Sequence, residues 1–300
     1  FMKWFELLRE EYDCPTVMFH VPYQGDGKLE PEHREYMLRQ LRDTVIPALE
    51  KATGRKYDEE KLKEHLRLSA QAEDDLVAVL QAGKLRPSPI DGYFGTVYYV
   101  GPIFSAFRGT QEGVDYYRAL REEVEERALL GLGPITPEGA LEGEKYRLVV
   151  EGPPNWTHFR DFWKMFADEK AVVVASTYTK VGGTYDFGFR HDPSDPLGTL
   201  ADYCSGCYTN LNLPARIDMI VNYIQEYQAD GFLINSVKSC NSFSAGQLMI
   251  LREVEKRTGI PGAFIESDLV DPRYFSAANI KNRLESYFQM IDARRVSRPA

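Results

Sequence analysis

The sequence predicts an α/β fold with two lobes, and three observations lead to this prediction. The chain has 300 residues, which is enough for two lobes. From Tyr146 onward, strand and helix patterns alternate four times. The strand patterns there are almost continuously apolar, which is typical of a parallel sheet that helices cover on both faces.

The first half of the chain is predicted to be mostly helical. Residues 1–12 have a helical pattern, and the apolar run at residues 15–23 predicts a strand. Helical periodicity then continues over residues 29–80, with a stop at Gly54 and a new start at Asp58.

Three further segments lead to the end of this half. Residues 88–104 are rich in β-branched and aromatic residues, but Ser88 before a proline is a typical helix start, and we predict a helix there. Residues 116–130 have a clear amphipathic helical pattern. The glycines and prolines of residues 131–145 predict a linker.

The linker marks a domain boundary near residue 145. We expect one domain over residues 1–145 and a second α/β domain over residues 146–300. In the second domain, strands are predicted over residues 146–152, 171–177, 231–237 and 262–268. The helices between and after them are predicted to end at residue 167, to span 217–227, to end at 258 and to span 279–293.

Composition limits the classes of function. The chain has 45 acidic and 36 basic side chains, and the net charge of −9 disfavours a nucleic-acid partner. No apolar run approaches the roughly 20 residues of a spanning helix, so we expect no membrane segment. Four cysteines are too few for a disulfide scaffold, which favours the cytoplasm. The sequence begins with Phe1, and we expect the natural chain to start further upstream.

The carboxyl ends of the predicted strands are the places to look for chemistry, because ligands of parallel sheets bind there. Cys240 follows the apolar run at residues 231–237 and precedes a predicted helix from Ser244, whose N-terminus would stabilise a thiolate. It is therefore a candidate metal ligand or nucleophile. The alternative is a small buried residue at a tight turn.

The other cysteines give weaker signals. Cys204 and Cys207 have CxxC spacing, and a zinc site would need His191 and Cys240 to join them. Coincidental spacing is the alternative. Cys14 is expected to pack in the interior. The five histidines form no HExxH motif, and no GxSxG accompanies them, so metalloprotease and hydrolase functions are disfavoured.

Three loops could contact a ligand. In residues 152–158, Asn155 can cap a helix whose N–H groups would hold a phosphate or a thioester oxygen. Residues 180–185 contain two flexible glycines. Residues 266–275 contain Glu266, Asp268, Asp271 and Arg273, for which an Asp–Arg structural pair is a simpler interpretation than acid–base catalysis.

Three stretches carry a resemblance to a known family: residues 149–163 (VVEGPPNWTHFRDFW), residues 229–247 (ADGFLINSVKSCNSFSAGQ) and residues 262–292. Through them the chain resembles the 2-hydroxyacyl-CoA dehydratase family. Within that family it is similar to the substrate-binding, B-type subunits of the ATP-dependent benzoyl-CoA reductases. The resemblance extends over essentially the whole chain.

The resemblance implies two Rossmann-like parallel-sheet lobes with a helical segment between them. It also implies a [4Fe–4S] cluster held between the lobes by three cysteines, of which Cys240 matches the last. The first two family cysteines precede the segment that resembles residues 1–23, so the chain is expected to lack its N-terminal part. Asn155 and Trp156 are expected to border the acyl-CoA pocket, with Asn155 donating towards the thioester.

The implied reaction is the one-electron, radical reduction of benzoyl-CoA to a cyclic dienoyl-CoA in anaerobic aromatic degradation. The implied partners are a homologous cluster-bearing subunit, an ATPase subunit pair and ferredoxin as electron donor. The sequence agrees with a separate ATPase, because it contains no GxxxxGK[ST] loop. Two alternatives remain: a 2-hydroxyacyl-CoA dehydratase subunit, and a cluster-free α/β assembly subunit.

Overall fold

A computed structural model describes residues 2–23, 25, 29–95, 101, 107–136, 138–180 and 189–297. Strands β1 (Ile135–Thr136) and β2 (Gly139–Ala140) form a short antiparallel hairpin. The other four strands form a parallel sheet in the order β4-β3-β5-β6. They are β3 (Tyr146–Glu151), β4 (Ala171–Ser176), β5 (Gly231–Val237) and β6 (Gly262–Ser267).

The helices fall into two groups. Those before the sheet are α1 (Met2–Tyr12), α2 (Pro31–Gln40), which continues through a π-helical turn (Leu41–Val45) into α3 (Ile46–Thr53), then α4 (Glu59–Gln81) and α5 (Gln111–Leu129). Those within and after the sheet are α6 (Phe159–Ala167), α7 (Pro196–Ser205), α8 (Leu213–Glu226), α9 (Asn241–Ser244), α10 (Gln247–Thr258) and α11 (Ala277–Ser297). None of the described helices combines the length and apolar character needed to cross a bilayer.

Helices cover both faces of the parallel sheet. On one face, Val149 and Phe232 pack in a core with Ile220 of α8 and Ile250 of α10. The other face packs against α6 and α11, in a core that contains Leu148, Leu233, Phe166, Leu284 and Phe288. Because successive strand residues point to opposite faces, a sheet with two covered faces needs continuously apolar strands. This arrangement confirms the predicted α/β class and the parallel sheet.

Residues that come before the parallel sheet in the sequence form a helical layer. Helices α4 and α5 pack against each other around Leu76 and Tyr117, which are both fully buried. Asp58 caps the start of α4 through a hydrogen bond from the Lys61 N–H, and Gly54 ends α3 with a φ of 69°. The predicted stop at Gly54 and start at Asp58 are therefore confirmed.

The strand predicted at residues 15–23 is wrong. This segment is irregular and largely exposed, and Met18 is 58% exposed. The side-chain amide of Gln40 bonds both the N–H and the C=O of His20, at 2.9 Å each, and takes the place of a neighbouring strand. An apolar run forms a strand only where a partner strand pairs with its backbone.

The helix predicted at residues 88–104 is wrong for residues 88–95, which form turns. The buried Asp91 carboxylate accepts hydrogen bonds from the N–H groups of Tyr93, Phe94 and Val173. It thereby attaches the turn to the edge strand β4 instead of starting a helix. Of the rest of this prediction, residues 96–100 and 102–104 lie outside the described residues. The domain boundary at residue 145 stays a prediction.

Candidate functional site

The carboxyl ends of β3, β5 and β6 lie side by side, because the strands are parallel neighbours. The register pairs Glu151 with Ile234 and Val237 with Ser267. Polar side chains are buried along this edge and in the loops that leave it: Glu151, Asn155, Asn235, Ser236, Gln247, Ser267 and Asp268. Ligands of doubly wound sheets bind at such an edge, which makes it the candidate site.

Glu151 ends the central strand β3 and is fully buried. Its Oε2 accepts a hydrogen bond from Gln247 Nε2 at 2.5 Å, and its Oε1 accepts one from the Tyr208 hydroxyl at 3.3 Å. Burial raises the pKa of Glu151 to about 7, against the opposing effect of these two bonds. Sequence reasoning missed this residue, although an acid at the end of an apolar strand was a usable signal.

Asn235 of β5 holds the loop after β3 in place. Its Nδ2 donates to the Pro153 carbonyl at 2.7 Å and to the Tyr93 hydroxyl at 3.0 Å. Its Oδ1 accepts from the Ser267 hydroxyl at 2.9 Å. At Gly152, where φ is 106°, a Cβ would lie 2.1 Å from the Asn235 carbonyl oxygen. The close approach of the loop to β5 therefore requires glycine at this position.

Asn155 lies in this loop, as predicted, and caps the short 3₁₀ turn Trp156–His158. Its Oδ1 accepts hydrogen bonds from the Thr157 hydroxyl at 2.8 Å and from the His158 N–H at 3.3 Å. The side chain is fully buried, and its Nδ2 has no hydrogen-bond partner in the described part of the chain. Capping therefore uses Asn155 Oδ1 and leaves Nδ2 available to a ligand.

Trp156 lies on the wall of a cavity of about 840 Å³. It is 41% exposed and stacks on Phe159, with 5.4 Å between ring centroids. Trp163 and Arg160 of α6 continue this wall, and Tyr116 of α5 lies across the cavity. The volume is within the range of small-molecule sites, and aromatic rings form much of the lining.

Cys240 lies three residues beyond β5 and is half-buried. Its N–H donates to the Val237 carbonyl at 3.1 Å, which forms a tight turn at the edge of the sheet. The helix predicted from Ser244 onward is interrupted: α9 ends there after one turn, and Gly246, with a φ of 81°, separates it from α10. The short helix α9 therefore lies between Cys240 and α10, so Cys240 is not at the N-terminus of the longer helix.

The cysteines do not assemble a metal site among the described residues, where no three His, Cys, Asp or Glu side chains are close enough to hold an ion. Cys204 and Cys207 lie at the end of α7, and burial raises the pKa of Cys204 to about 11, which disfavours a thiolate. His191 is paired with the buried Glu73. The zinc site left open by the CxxC spacing is therefore not formed.

These residues do not provide the complete ligand set of a [4Fe–4S] cluster. Cys240 offers one thiol, whereas clusters of this kind usually need three or four. Cys14 is exposed, so the expectation that it packs in the interior is wrong.

Two aspartates stabilise the loop that follows β6. Arg273 donates to the Asp271 carboxylate at 2.9 Å, which confirms the structural pair. Asp268 accepts hydrogen bonds from the N–H groups of Ser239 and Val270, at 3.0 Å each, and so ties this loop to the one that contains Cys240. The two glycines at residues 182 and 183 lie outside the described residues.

Comparison with known proteins identifies the family of the chain. Residues 1–291 match the family model of the 2-hydroxyglutaryl-CoA dehydratase D-component. The B-type benzoyl-CoA reductase subunit of Thauera aromatica is 68% identical over 295 residues, which cover 98% of this chain and 68% of that protein.

More distant relatives are dehydratase subunits. The (R)-phenyllactyl-CoA dehydratase alpha subunit of Clostridium sporogenes is 26% identical over 98% of this chain and 68% of its own length. The (R)-2-hydroxyglutaryl-CoA dehydratase alpha subunit of Acidaminococcus fermentans is 25% identical over 97% of this chain and 58% of its own length.

These matches confirm the predicted resemblance and the prediction of an oxidoreductase subunit. The names of the relatives are those of subunits, which supports an assembly with partner chains. The chain belongs to the family of the 2-hydroxyglutaryl-CoA dehydratase D-component.

Proposed function

We propose that this chain is the iron–sulfur, substrate-binding subunit of an ATP-dependent benzoyl-CoA reductase. The observation that carries the proposal is the contrast in identity: 68% to a benzoyl-CoA reductase subunit, against 24% to 26% for the dehydratase alpha subunits. The reaction adds two electrons and two protons to the ring of benzoyl-CoA and yields a cyclic dienoyl-CoA.

The cavity beside Trp156 supports an aromatic acyl substrate. Trp156, Phe159 and Trp163 offer flat apolar faces against which a benzoyl ring packs in offset or edge-to-face geometry. The volume of about 840 Å³ leaves space for part of the pantetheine arm. We therefore assign Trp156 to the acyl group or the arm next to it.

Asn155 supports the same assignment through its unpaired amide. The thioester carbonyl takes up negative charge while the ring is reduced, and a fixed donor at that oxygen stabilises the charge. Asn155 Nδ2 is a buried donor with no partner among the described residues. A thioester oxygen within reach of this atom would satisfy it.

Cys240 is the proposed cluster ligand of this chain. Its thiol is half-buried at the carboxyl edge of the sheet, in a loop that Asp268 holds in place. The other ligands of the [4Fe–4S] cluster would come from outside the described residues.

The test of this ligand is Cys240→Ser in the complete complex, purified without oxygen, with Cys14→Ser as the control because Cys14 is an exposed cysteine. We expect Cys240→Ser to lose iron and change the EPR spectrum, while Cys14→Ser keeps both. Wild-type iron content in Cys240→Ser would contradict the assignment.

The proposed partners are a homologous cluster-bearing subunit, a pair of ATPase subunits and ferredoxin. This chain has no GxxxxGK[ST] loop, so ATP hydrolysis is assigned to the other subunits. We propose a cytoplasmic complex that binds neither nucleic acid nor membranes, in keeping with the net charge of −9.

The experiment is to express the chain with and without these partners and to follow benzoyl-CoA with a strong one-electron donor and ATP. We expect dienoyl-CoA only from the complete set and only with ATP. Dienoyl-CoA formation by the chain alone would contradict the assigned partners. Full activity of the partners without this chain would contradict its role as the substrate-binding subunit.

A further inference from the structure

We propose that Glu151 is a proton-holding residue of the site, which supplies one of the two protons of the reduction through the Tyr208 hydroxyl. The inference rests on the proposed function for its reaction, but its structural basis is independent of it. That basis is a buried carboxyl group at the ligand edge of the sheet whose direct partners are all neutral.

The Glu151 carboxyl group has no paired cation, because no ion pair in the described part of the chain includes Glu151. Arg216 of α8 is the nearby charge, but its guanidinium donates to the carbonyls of Leu211, Thr209 and Ser242 and lies over the ring of Tyr208, 5.0 Å from the centroid.

Without a paired cation, the charged form of Glu151 is costly, and the charge of Arg216 offsets this cost only in part. A buried carboxylate that lacks a paired charge takes up a proton at a higher pH than an exposed one. Burial accordingly raises the pKa of Glu151 to about 7. The group can therefore both hold and release a proton near neutral pH.

Gln247 is the hydrogen-bond partner of Glu151 Oε2. Gln247 is 1% exposed, its Nε2 lies 2.5 Å from Glu151 Oε2, and its own Oε1 has no partner among the described residues. A side-chain amide can turn over and present either a donor or an acceptor from the same place. Gln247 can thus donate to the carboxylate or accept from the carboxylic acid, so that both protonation states fit one packing.

Two hydroxyl groups, those of Tyr208 and Thr177, continue from Glu151 along the edge of the sheet. Glu151 Oε1 accepts a hydrogen bond from the Tyr208 hydroxyl, and the side chain of Thr177, which follows β4, lies near that hydroxyl. Thr177 in turn accepts a hydrogen bond from the Gly152 N–H at 3.3 Å. Glu151, Tyr208 and Thr177 therefore form a line of exchangeable protons from the centre of the edge towards β4.

The proton balance is simple. Benzoyl-CoA gains two electrons, which come from a low-potential one-electron donor protein, and two protons, of which solvent water supplies one. The other leaves the Glu151 carboxyl group through the Tyr208 hydroxyl, which gives its own proton to the ring and receives that of Glu151. The carboxylate left behind keeps its bonds from Gln247 and Tyr208, and water returns the proton before the next turnover.

The test uses Glu151→Gln in the complete complex, since glutamine has the shape of the protonated acid but no transferable proton. We expect the variant to fold and to lose turnover by at least about 100-fold. Wild-type turnover should fall as the pH rises through about 7, where Glu151 loses its proton, and the residual activity of the variant should lack this limb. Glu226→Gln, an exposed acid of α8 paired with Lys84, is the control and should leave turnover and its pH profile unchanged.

Two measurements separate this inference from the proposed function. The infrared carbonyl band of a protonated carboxylic acid should be present at neutral pH in the wild type and missing in Glu151→Gln, whatever reaction the complex catalyses. Tyr208→Phe keeps the packed ring and should slow turnover while the band remains.

Absence of the band, or wild-type turnover and pH profile in Glu151→Gln, would overturn the inference. A band with no reduction of benzoyl-CoA by the wild type would refute the proposed function and the proton transfer, but leave Glu151 as a proton-holding residue.

Discussion

Each end of strand β3 buries an ionisable side chain, but one of these side chains has a charged partner and the other has only neutral partners. At the amino end, Arg147 is 1% exposed and is paired with Glu144 at 2.7 Å. Its guanidinium also donates to the carbonyls of Gly83, Leu85 and Tyr227. At the carboxyl end, Glu151 has only an amide and a phenol for partners.

The difference is consistent with a structural role for the amino end and with the proposed ligand site at the carboxyl end. Arg147 joins the helical layer, the sheet and α8, and these bonds use four of its five guanidinium N–H groups. At the other end, the described residues leave Asn155 Nδ2 and Gln247 Oε1 unpaired although both atoms are buried. Unpaired buried groups cost about 1–3 kcal/mol each, and a bound ligand that paired with these two atoms would remove this cost.

The largest expected effect is at Arg147. Arg147→Met keeps the length of the side chain but leaves the buried Glu144 without its cation, and we expect a loss of about 3–5 kcal/mol in the free energy of unfolding. Urea unfolding measures this loss. Arg257→Met, which breaks an exposed pair with Asp218, is the control and should change stability by less than about 1 kcal/mol. Equal effects of the two changes would show that the amino end is not the structural site.

The next effect is the pH dependence that Glu151 gives to stability. The pKa of Glu151 is about 7 in the folded state, above the ordinary 4.5. Between these two pH values, the folded protein keeps this proton while the unfolded chain loses it. The contribution to stability is full below about pH 4.5 and is lost as the pH rises to about 7. As the pH rises from about 5 to about 8, the free energy of unfolding of Glu151→Gln should therefore increase by up to about 3 kcal/mol relative to that of the wild type. Urea unfolding at both pH values tests this, and a constant difference would contradict a proton-holding Glu151.

The smallest effect on stability is expected at Asn155, where two substitutions separate its two roles. Asn155→Ala removes the capping oxygen and should cost about 1 kcal/mol of stability, whereas Asn155→Asp keeps that oxygen and should cost less. Both remove the Nδ2 donor, so both should lower turnover of benzoyl-CoA. Wild-type turnover in Asn155→Asp would leave Asn155 with the capping role alone.

The parallel sheet could be predicted because its strands are apolar on both faces. The patterns at residues 146–152, 171–177, 231–237 and 262–268 all correspond to strands, since helices cover each face. The same signal failed at residues 15–23, where the described structure has no strand to pair with the backbone. Apolar content alone does not supply a pairing partner.

The site was predictable in its position more than in its chemistry. Asn155, Trp156 and Cys240 lie in strand-end loops, as the topology requires, because parallel strands bring their carboxyl ends together. Glu151 and Gln247 were missed because their roles depend on a contact between residues 96 positions apart. The interruption of the helix after Cys240 depends on the φ of Gly246, which the surrounding sequence does not reveal.

The central claim, that the site takes benzoyl-CoA for reduction, is tested most directly by offering the complete, anaerobically purified complex two substrates side by side. With ATP and a strong one-electron donor, we expect benzoyl-CoA to yield the cyclic dienoyl-CoA and (R)-phenyllactyl-CoA to remain unchanged. Dehydration of (R)-phenyllactyl-CoA with no reduction of benzoyl-CoA would contradict the account and identify the chain as a dehydratase subunit.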